Sequence, residues 1–313
     1  MLDCAIIGGG PAGLTAGLYA TRGGLQNVTL FEMGVPGGQI TKSSEIENYP
    51  GFFDSTKTGL DFMDDWQKQC FHFGLKHVMK KVELITKTGE HFTITLEGGE
   101  TVEALTVIVA TGSVPKRAGF NGEDAFFGKG VSTCATCDGF FYKNKAVTVL
   151  GGGDTALEEA LFLSNICSDV YVVHRRDKFK AAPPTLERVA KKENIHLITD
   201  SVIDEAYGGM MGLDGVKIKN TKTNEVTDMK NTGLFVFVGL NVRNDVLKDE
   251  KGKFICAMSD FGQVIVDLRM RTDVSGLFVA GDLRIDAPKQ VVSAAGDGSI
   301  AALQVISYLQ ELE

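Results

Sequence analysis

Five consecutive residues combine a pair of thiols with an acid: Cys134-Ala135-Thr136-Cys137-Asp138. Two cysteines separated by two residues form a dithiol that can close into a disulfide and reopen, and the thiolate is the form that reacts. The cluster lies between two glycine-rich sequences of the dinucleotide-binding type, at residues 8–13 and 151–156. A redox-active thiol pair flanked by two such sites suggests a path for electrons.

The same cysteine spacing is also half of a zinc site, which would need two more ligands at suitable spacing. Cys4, Cys70, Cys167 and Cys256 are isolated in the sequence, and none of the five histidines is near the pair. Zinc is therefore the weaker interpretation. We expect Cys4 and Cys167 in the core, Cys70 as a packing residue, and Cys256, which follows a charged stretch, at the surface.

The first glycine-rich sequence, Gly8-Gly9-Gly10-Pro11-Ala12-Gly13, stands in a strand–turn–helix context. An apolar run from Leu2 to Ile7 precedes it, a helical pattern from Leu14 to Thr21 follows, and a second strand from Asn27 to Phe31 ends at Glu32. This order is the dinucleotide fingerprint, in which the helix N-terminus faces the phosphates and the acid accepts hydrogen bonds from ribose hydroxyls. A plain glycine-rich turn is the alternative interpretation.

The pattern starts again at Ala146, and this internal repeat is the most informative feature of the chain. A strand from Val147 to Leu150 leads into Gly151-Gly152-Gly153-Asp154-Thr155-Ala156, followed by a helix from Leu157 to Asn165 and a strand from Val170 to Val173. The repeat predicts a second dinucleotide site.

A gapless alignment of the two copies from Gly8 and Gly151 sets Glu32 opposite Arg175. A carboxylate repels a ribose 2′-phosphate, whereas a guanidinium binds one through charge-assisted bonds. The second copy carries His174-Arg175-Arg176, with Lys178 and Lys180 just beyond. We therefore expect a cofactor without a 2′-phosphate in the first copy and NADP(H) in the second. A solvated basic turn is the alternative.

Three further segments shape the predicted domains. Residues 82–106 alternate as a β-meander, Leu105 to Gly112 reads as a buried strand, and Asp214-Gly215 is a favourable hairpin turn. Gly276 to Asp282 is another buried strand, followed by a long apolar helix from about Gln290. This last segment has no fingerprint of its own, so we expect it to complete the first domain. Asp282 would then bond a ribityl or ribose hydroxyl, or simply cap a helix.

Bulk composition narrows the class of protein. The net charge of −8 disfavours nucleic acid as a partner. The N-terminus has no basic region of a signal peptide, and no uncharged apolar run approaches the ~20 residues that span a bilayer. A single close cysteine pair in a chain this long indicates a reducing compartment, so we expect a cytoplasmic protein without membrane association.

Taken together, these features resemble the low-molecular-weight (bacterial-type) thioredoxin reductases over essentially the whole chain. The resemblance is carried by eight short motifs: GGGPAG at 8–13, GGQ at 37–39, ENYPG at 47–51, ATG at 110–112, CATCD at 134–138, GGGDTA at 151–156, HRR at 174–176 and GD at 281–282. It implies an α/β fold with two Rossmann-like dinucleotide-binding domains of three layers (ββα). The FAD domain, residues 1–114 and 244–313, would be discontinuous, and the NADPH domain, residues 115–243, would be inserted into it.

The same resemblance implies a thioredoxin-disulfide reductase. Hydride would pass from NADPH to FAD and then reduce the disulfide of Cys134 and Cys137. Cys137 would be the flavin-proximal thiol, Cys134 the thiol that attacks oxidised thioredoxin, and Asp138 the acid/base for the thiol protons. The family is homodimeric. Its NADPH domain rotates between two orientations, because a nicotinamide and a disulfide cannot occupy the same place on the flavin.

The matching motif positions also imply the cofactor contacts. For FAD they are Gly8, Gly10, Pro11, Ala12, Gly13, Glu32, Gly37, Gly38, Gln39, Ile40, Thr41, Asn48, Ala110, Thr111, Gly112, Gly281, Asp282, Lys289, Gln290 and Val291. For NADPH they are Gly151, Gly153, Asp154, Thr155, His174, Arg175, Arg176 and Lys180. Two of these positions depart from the family pattern, since Lys180 and Lys289 stand where Arg is usual.

Three other functions remain open from the sequence. A flavin-dependent thiol oxidase on the same scaffold would not need the basic residues at 174–176. A ferredoxin/flavodoxin-NADP reductase would not need Cys134 and Cys137. A redox-sensing scaffold would bind nucleotide and signal through its cysteines, without turnover of a disulfide protein.

Overall fold

The computed structural model describes residues 1–43, 46, 48–52, 54 and 56–312. The chain divides into two compact units: the first unit, Met1–Val114 with Val242–Glu313, and the inserted unit, Pro115–Asn241. No helix within the described ranges is long and apolar enough to cross a bilayer. Of the predicted turn at 47–51, Glu47 lies outside the described residues, and Pro50 and Gly51 form a turn.

The helices and strands follow one another in three segments. The first segment contains β1 (Leu2–Ile7), α1 (Pro11–Arg22), β2 (Val28–Phe31), α2 (Gly59–His72), β3 (Lys76–Val78), β4 (Val82–Thr88), β5 (His91–Leu96), β6 (Thr101–Val109) and β7 (Ser113–Pro115). The middle segment contains β8 (Val131–Ser132), α3 (Ala135–Asp138), β9 (Ala146–Gly151), α4 (Asp154–Leu163), β10 (Asp169–Val173), α5 (Pro183–Ala190), β11 (Ile195–Ile198), β12 (Ser201–Gly209), β13 (Gly212–Asn220), β14 (Val226–Met229), β15 (Leu234–Phe237) and β16 (Leu240–Val242). The last segment contains β17 (Leu277–Val279) and α6 (Val291–Gln310).

The first unit is built on one sheet in the order β3-β2-β1-β6-β5-β4, with β17 also paired to β6. Strands β3, β2, β1, β6 and β17 run parallel, and β4 and β5 form an antiparallel meander. Ile108 of β6 packs in a cluster with α1, α2 and α6, whereas its neighbours Val107 and Val109 pack with β4 and β5. Because both faces are covered, β6 is apolar along its second half rather than alternating.

The inserted unit repeats this arrangement. Its parallel sheet has the order β11-β10-β9-β15-β8, and β12-β13-β14 form a separate antiparallel sheet. One cluster joins the parallel sheet to α4 and α5, and a second joins it to β12 and β13. Both units therefore have three layers, and the predicted α/β class with two Rossmann-like domains is confirmed.

The predicted hairpin turn at Asp214-Gly215 is wrong. Strands β12 and β13 turn at Met210-Met211, and both predicted turn residues lie inside β13. Gly212, with φ at +129°, supplies the backbone freedom, and a side chain at Gly208 would come within 2.1 Å of the carbonyl oxygen of Gly212. The close approach of these two glycines, which the dipeptide rule does not register, sets the turn.

Burial was predicted correctly for three of the four isolated cysteines and wrongly for the fourth. Cys4, Cys70 and Cys167 are buried, as predicted. Cys256 was expected at the surface and is instead only 7% exposed, packed in the cluster on the meander side of the first sheet. Its thiol donates to the sulfur of Met258 at 3.9 Å, so the charged residues before it reach solvent while Cys256 turns inward.

Candidate active site

The thiol pair forms a disulfide at the start of the short helix α3. Strand β8 delivers the chain to Cys134, which is the N-cap residue of α3, and the Cα atoms of Cys134 and Cys137 lie 5.3 Å apart. The backbone N–H of Cys137 donates to the sulfur of Cys134 at 3.2 Å, and that of Asp138 donates to the carbonyl of Cys134 at 3.1 Å. Cys137 is exposed, so the disulfide is open to attack or to electron delivery.

The carboxyl group of Asp138 lies partly buried beside the disulfide. Burial raises its pKa above the ordinary value for an aspartate, and a hydrogen bond from the Ser132 hydroxyl at 2.5 Å opposes that rise. Burial also raises the pKa of the nearby Tyr142 hydroxyl to about 12, with a further contribution from the charge of Asp138. A carboxyl group that holds its proton closer to neutral pH suits general acid/base chemistry on thiols.

Ser132 is a site residue that no sequence motif identified. Its side-chain oxygen accepts from the backbone N–H of Cys134 at 3.0 Å while its hydroxyl donates to Asp138. The residue is only 6% exposed. Ser132 thus joins the carboxyl group to the backbone of the disulfide, a link that forms because the chain turns back at α3.

In the first unit, the predicted residues gather at the carboxyl ends of parallel strands. Residues 8–13 follow β1, Glu32 follows β2, 110–112 follow β6, and 281–282 follow β17. These strands are neighbours in one parallel set, so their ends share one edge of the sheet, which is where α/β folds bind ligands.

The glycines of the first turn are required by close backbone approach. Gly8 has φ at +105°, and a side chain there would lie 2.5 Å from the carbonyl oxygen of Ala110. A side chain at Gly13 would lie 1.9 Å from the carbonyl oxygen of Gly8. The turn can therefore be tight, and it leaves the first backbone N–H groups of α1 directed at the edge of the sheet.

Glu32 and the following loop close over this turn. The Glu32 carboxylate accepts from the backbone N–H of Gly9 at 2.8 Å. The N–H of Gly37 donates to the carbonyl of Gly9 at 2.7 Å, and a side chain at Gly38 would meet the Cα of Gly10 at 2.9 Å. The predicted residues Glu32, Gly37 and Gly38 are thus brought together with the turn.

The remaining predicted residues of the first unit have varied surroundings. Asn48 donates to the side chain of Gln290, which is the N-cap residue of α6, at 3.1 Å, and Val291 is the first residue of that helix. Gln39 donates to the carbonyl of Ser113, and Thr111 donates to that of Arg243 at 2.5 Å. Ile40 and Thr41 lie in a short 3-10 helix. Lys289 is exposed and has φ at +58°.

The second glycine turn is shaped by a histidine. A side chain at Gly152 would lie 2.0 Å from Nδ1 of His174, so the imidazole packs directly on the turn. His174 is buried, stacks on Phe179 with ring centroids 5.0 Å apart, and its Nε2 lies 3.1 Å from the carbonyl oxygen of Lys178. Burial lowers the pKa of His174, which favours a neutral ring.

The loop after β10 folds back onto this turn and carries the basic residues outward. The N–H of Lys180 donates to the carbonyl of Gly152 at 2.6 Å, and the N–H of Ala182 donates to the carboxylate of Asp154 at 2.7 Å. Arg175 and Arg176 are exposed. The predicted basic residues therefore lie on a loop whose backbone N–H groups hold it against the turn, one bonded to a backbone carbonyl and one to the Asp154 carboxylate.

The gapless alignment of the two copies is wrong by one residue at the second strand. Strand pairing sets Ile7 beside Phe31 in the first unit and Leu150 beside Val173 in the inserted unit. Glu32 therefore corresponds to His174, and Arg175 lies one residue beyond. The shift arises because the path from β9 through α4 to β10 is one residue shorter than its counterpart in the first unit.

Comparisons with known proteins agree with these features. The chain matches the pyridine nucleotide-disulphide oxidoreductase family over residues 2–298. A thioredoxin reductase of Helicobacter pylori (strain J99) is 59% identical over 310 residues, covering 99% of each chain. A thioredoxin reductase of Streptomyces coelicolor is 39% identical over 308 residues, covering 98% of this chain and 94% of that protein.

Solved structures give the same result. The crystal structure of thioredoxin reductase from Streptococcus pyogenes matches with a TM-score of 0.92 at 37% identity, covering 99% of both chains. Thioredoxin reductase from Giardia duodenalis matches with a TM-score of 0.91 at 35% identity, covering 98% of both chains. With nearly its whole length matched, the chain belongs to the pyridine nucleotide-disulphide oxidoreductase family.

Proposed function

We propose that this oxidoreductase is a thioredoxin-disulfide reductase, which carries electrons from NADPH through FAD to Cys134 and Cys137 and then to oxidised thioredoxin. The observation that carries the proposal is the exposed disulfide beside a partly buried carboxyl group, in a chain with two dinucleotide-type turns. Relatives and structural neighbours that bear the name thioredoxin reductase support it.

FAD fits the first unit, residues 1–114 and 242–313. The close approach of Gly38 to Gly10 leaves backbone rather than side chains beside the N-terminus of α1, where a pyrophosphate is favoured. When bound, FAD supplies a two-electron carrier between reduced nicotinamide and a disulfide. We assign its contacts to the first turn, Glu32, the loop 37–41, Asn48, residues 110–112 and 281–282, and residues 289–291.

NADPH fits the inserted unit, residues 115–241. The exposed guanidinium groups of Arg175 and Arg176, with Lys180 on the same loop, suit a ribose 2′-phosphate. The neutral His174 beneath them fixes the start of this loop without adding charge. Gly151, Gly153, Asp154 and Thr155 complete the assigned contacts at the turn.

The chain's own chemistry concerns thiols and protons. Opening the disulfide takes up two electrons and two protons, and we assign Asp138 to deliver and accept protons at the sulfur atoms. Cys137 is assigned as the flavin-proximal thiol. The hydrogen bond from the N–H of Cys137 to the sulfur of Cys134 stabilises negative charge there, which favours Cys134 as the attacking thiolate.

Exchange with the partner then follows thiol–disulfide chemistry. The Cys134 thiolate attacks one sulfur of the oxidised thioredoxin disulfide, forming a mixed disulfide and releasing a thiolate. Cys137 attacks the sulfur of Cys134, which releases reduced thioredoxin and restores the disulfide. Because a nicotinamide and a disulfide cannot occupy the same place on the flavin, the proposal includes rotation of the inserted unit between two orientations.

Exposed aromatic residues beside the disulfide suit a protein partner. Phe140 and Phe141 follow α3 after Gly139 and are 63% and 44% exposed. Apolar side chains left exposed together are typical of interaction surfaces. We assign them to the contact with thioredoxin.

We also propose a homodimer, with α6 in the contact. Val292, Ile300 and Leu303 lie near one face of α6 and are 45%, 36% and 51% exposed. An open groove of about 310 Å³ lies beside this helix, lined also by α1 and α2. Sedimentation should give a dimer that Leu303→Glu converts to monomer.

An anaerobic titration tests the proposed reaction. NADPH is added to the FAD-loaded protein in excess of the flavin and the disulfide together, oxidised thioredoxin is added next, and the flavin absorbance is followed. We expect NADPH to bleach the flavin and thioredoxin to restore it. Bleaching without recovery would exclude thioredoxin as the acceptor, and a flavin that stays oxidised would exclude NADPH as the donor.

A further inference from the structure

A buried ion pair joins the turn that follows β17 to α6. The Nε of Arg284 donates to Oδ2 of Asp297 at 2.6 Å, and its Nη2 donates to Oδ1 at 3.1 Å. The two side chains are only 16% and 8% exposed. Such bidentate pairs are geometrically specific, and a buried charge that loses its partner is costly.

The same carboxylate also holds the turn that follows β17. The backbone N–H of Gly281 donates to Oδ2 of Asp297 at 3.1 Å. The short 3-10 helix Gly281–Leu283 is therefore fixed at both ends, by Gly281 to Asp297 and by Arg284 to the same carboxylate. The one residue of this turn with a polar side chain is Asp282.

This turn and α6 both pack closely against the first turn of α1. A side chain at Gly281 would lie 3.1 Å from Cβ of Ala12, and one at Gly298 would lie 2.1 Å from the carbonyl oxygen of Ala12. The ion pair thus lies where three elements with proposed FAD contacts meet: the N-terminus of α1, the turn 281–283 and α6.

The charges around Asp282 show why the pairing matters. Burial raises the pKa of Asp282, the cations Lys289 and Arg284 lower it, and the carboxylate of Asp297 raises it. With Arg284 in place, the charge of Asp297 is compensated. Without it, a second buried carboxylate would act on Asp282 unopposed except by the exposed Lys289.

We propose that Arg284 and Asp297 are positioning residues for the flavin site, holding the Gly281–Leu283 turn against α1 so that Asp282 faces the cofactor as a hydrogen-bond acceptor. The inference rests on the proposed use of FAD. It adds two residues that are not among the predicted cofactor contacts.

The test measures FAD binding by the full chain stripped of flavin, by quenching of flavin fluorescence, together with the thermal stability of the stripped chain. Arg284→Gln should weaken FAD binding about tenfold or more, since a charged hydrogen bond is lost beside the site. The loss should be larger at pH 6 than at pH 8. Without the Arg284 cation, the charge of Asp297 raises the pKa of Asp282 further, so a larger fraction of Asp282 is protonated at the lower pH. Arg284→Lys should restore part of the affinity.

Arg271→Gln is the matched control. Arg271 also bonds to α6, through Nε and Nη2 to Gln304 at 3.2 Å and 2.5 Å, but it does not hold the turn 281–283. We expect the control to keep FAD affinity within about twofold of wild type. If Arg284→Gln lowers stability but keeps wild-type FAD affinity, the positioning role is refuted.

Asp297→Asn provides a second variant if Arg284→Gln does not fold. The amide keeps an acceptor for Gly281 but leaves Arg284 without its charge partner, so FAD affinity should again fall. Combined with Arg284→Gln it should recover part of that loss, because no unpaired charge remains. If the wild-type chain itself fails to bind FAD, the proposed function is refuted, whereas normal wild-type binding with unchanged variants refutes only this inference.

Discussion

The two glycine turns of the molecule share a backbone path and differ in what lies against it. In the first unit, the Glu32 carboxylate accepts from the N–H of Gly9. In the inserted unit, the ring of His174 occupies the matching place against Gly152, and Arg175 comes one residue later. One turn thus presents a negative charge, and the other presents a neutral ring with exposed cations beyond it.

This difference shows that the residue that packs against the turn need not be the residue whose charge selects the cofactor. His174 fixes the loop through packing and the carbonyl of Lys178, and the exposed arginines are the residues proposed to bind the phosphate. In the first unit, one residue does both jobs, since Glu32 holds the backbone and carries the charge. We therefore expect that substitutions near the second turn can change cofactor affinity without changing the structure of the turn, whereas substitutions of Glu32 change both.

The largest expected effect comes from crowding the first turn. Gly13→Val sets a branched side chain where a single carbon already lies 1.9 Å from the carbonyl oxygen of Gly8, so the turn must open. We expect the flavin content of the purified protein to fall about 100-fold, or the chain to misfold. Ala156→Gly, at the equivalent place in the second turn, is the control and should change the KM for NADPH by less than about threefold. Normal flavin content in Gly13→Val would refute the required close approach.

Reversing the charge on the basic loop should give the next largest effect. Arg175→Glu with Arg176→Ala removes two cations from the proposed 2′-phosphate contact, so the KM for NADPH should rise about 100-fold. The KM for NADH should change by less than about threefold, because NADH has no 2′-phosphate. Steady-state kinetics with both nucleotides measure the ratio. Equal changes for NADPH and NADH would contradict the assigned contact.

A substitution beside the disulfide should affect the thiol chemistry without affecting nucleotide binding at the glycine turns. Ser132→Ala removes the hydrogen bond that lowers the pKa of Asp138, so that pKa should rise further. If Asp138 acts as an acid, the falling limb of the pH profile of thioredoxin turnover should move to higher pH, with turnover changed about tenfold at most near neutrality. The KM for NADPH should not change. A pH profile that is unaltered in Ser132→Ala but altered in Asp138→Asn would remove Ser132 from proton handling.

The smallest expected effect tests the double role of Glu32. Glu32→Gln keeps an acceptor for the N–H of Gly9 but removes the charge, so FAD affinity should fall by less than about tenfold. Glu32→Ala also removes the acceptor and should cost more, with a loss of thermal stability. Flavin fluorescence and thermal unfolding measure the two effects. Equal affinity in Glu32→Gln and Glu32→Ala would show that the bond to Gly9 is irrelevant to binding.

Local sequence patterns predicted the fold but not the side-chain contacts that support the two sites. The glycine turns, the repeated strands and the CxxC spacing are features of neighbouring residues, so they can be read along the chain. The side chains of Ser132 and Asp138 are six residues apart, and those of Arg284 and Asp297 are 13 residues apart. Their contacts depend on how the intervening chain turns, and no local sequence pattern marks them. The one-residue shift at His174 likewise depends on strand pairing, and the burial of Cys256 depends on packing in the cluster beside β4 and β5.

Labelling of the two cysteines tests the central claim most directly. The FAD-loaded protein is treated anaerobically with one equivalent of NADPH, alkylated, digested and analysed by mass spectrometry. We predict that Cys134 and Cys137 are both alkylated after NADPH and remain a disulfide without it, while the buried Cys4 and Cys167 do not change. A disulfide that survives NADPH in the presence of bound FAD would contradict the proposed path of electrons.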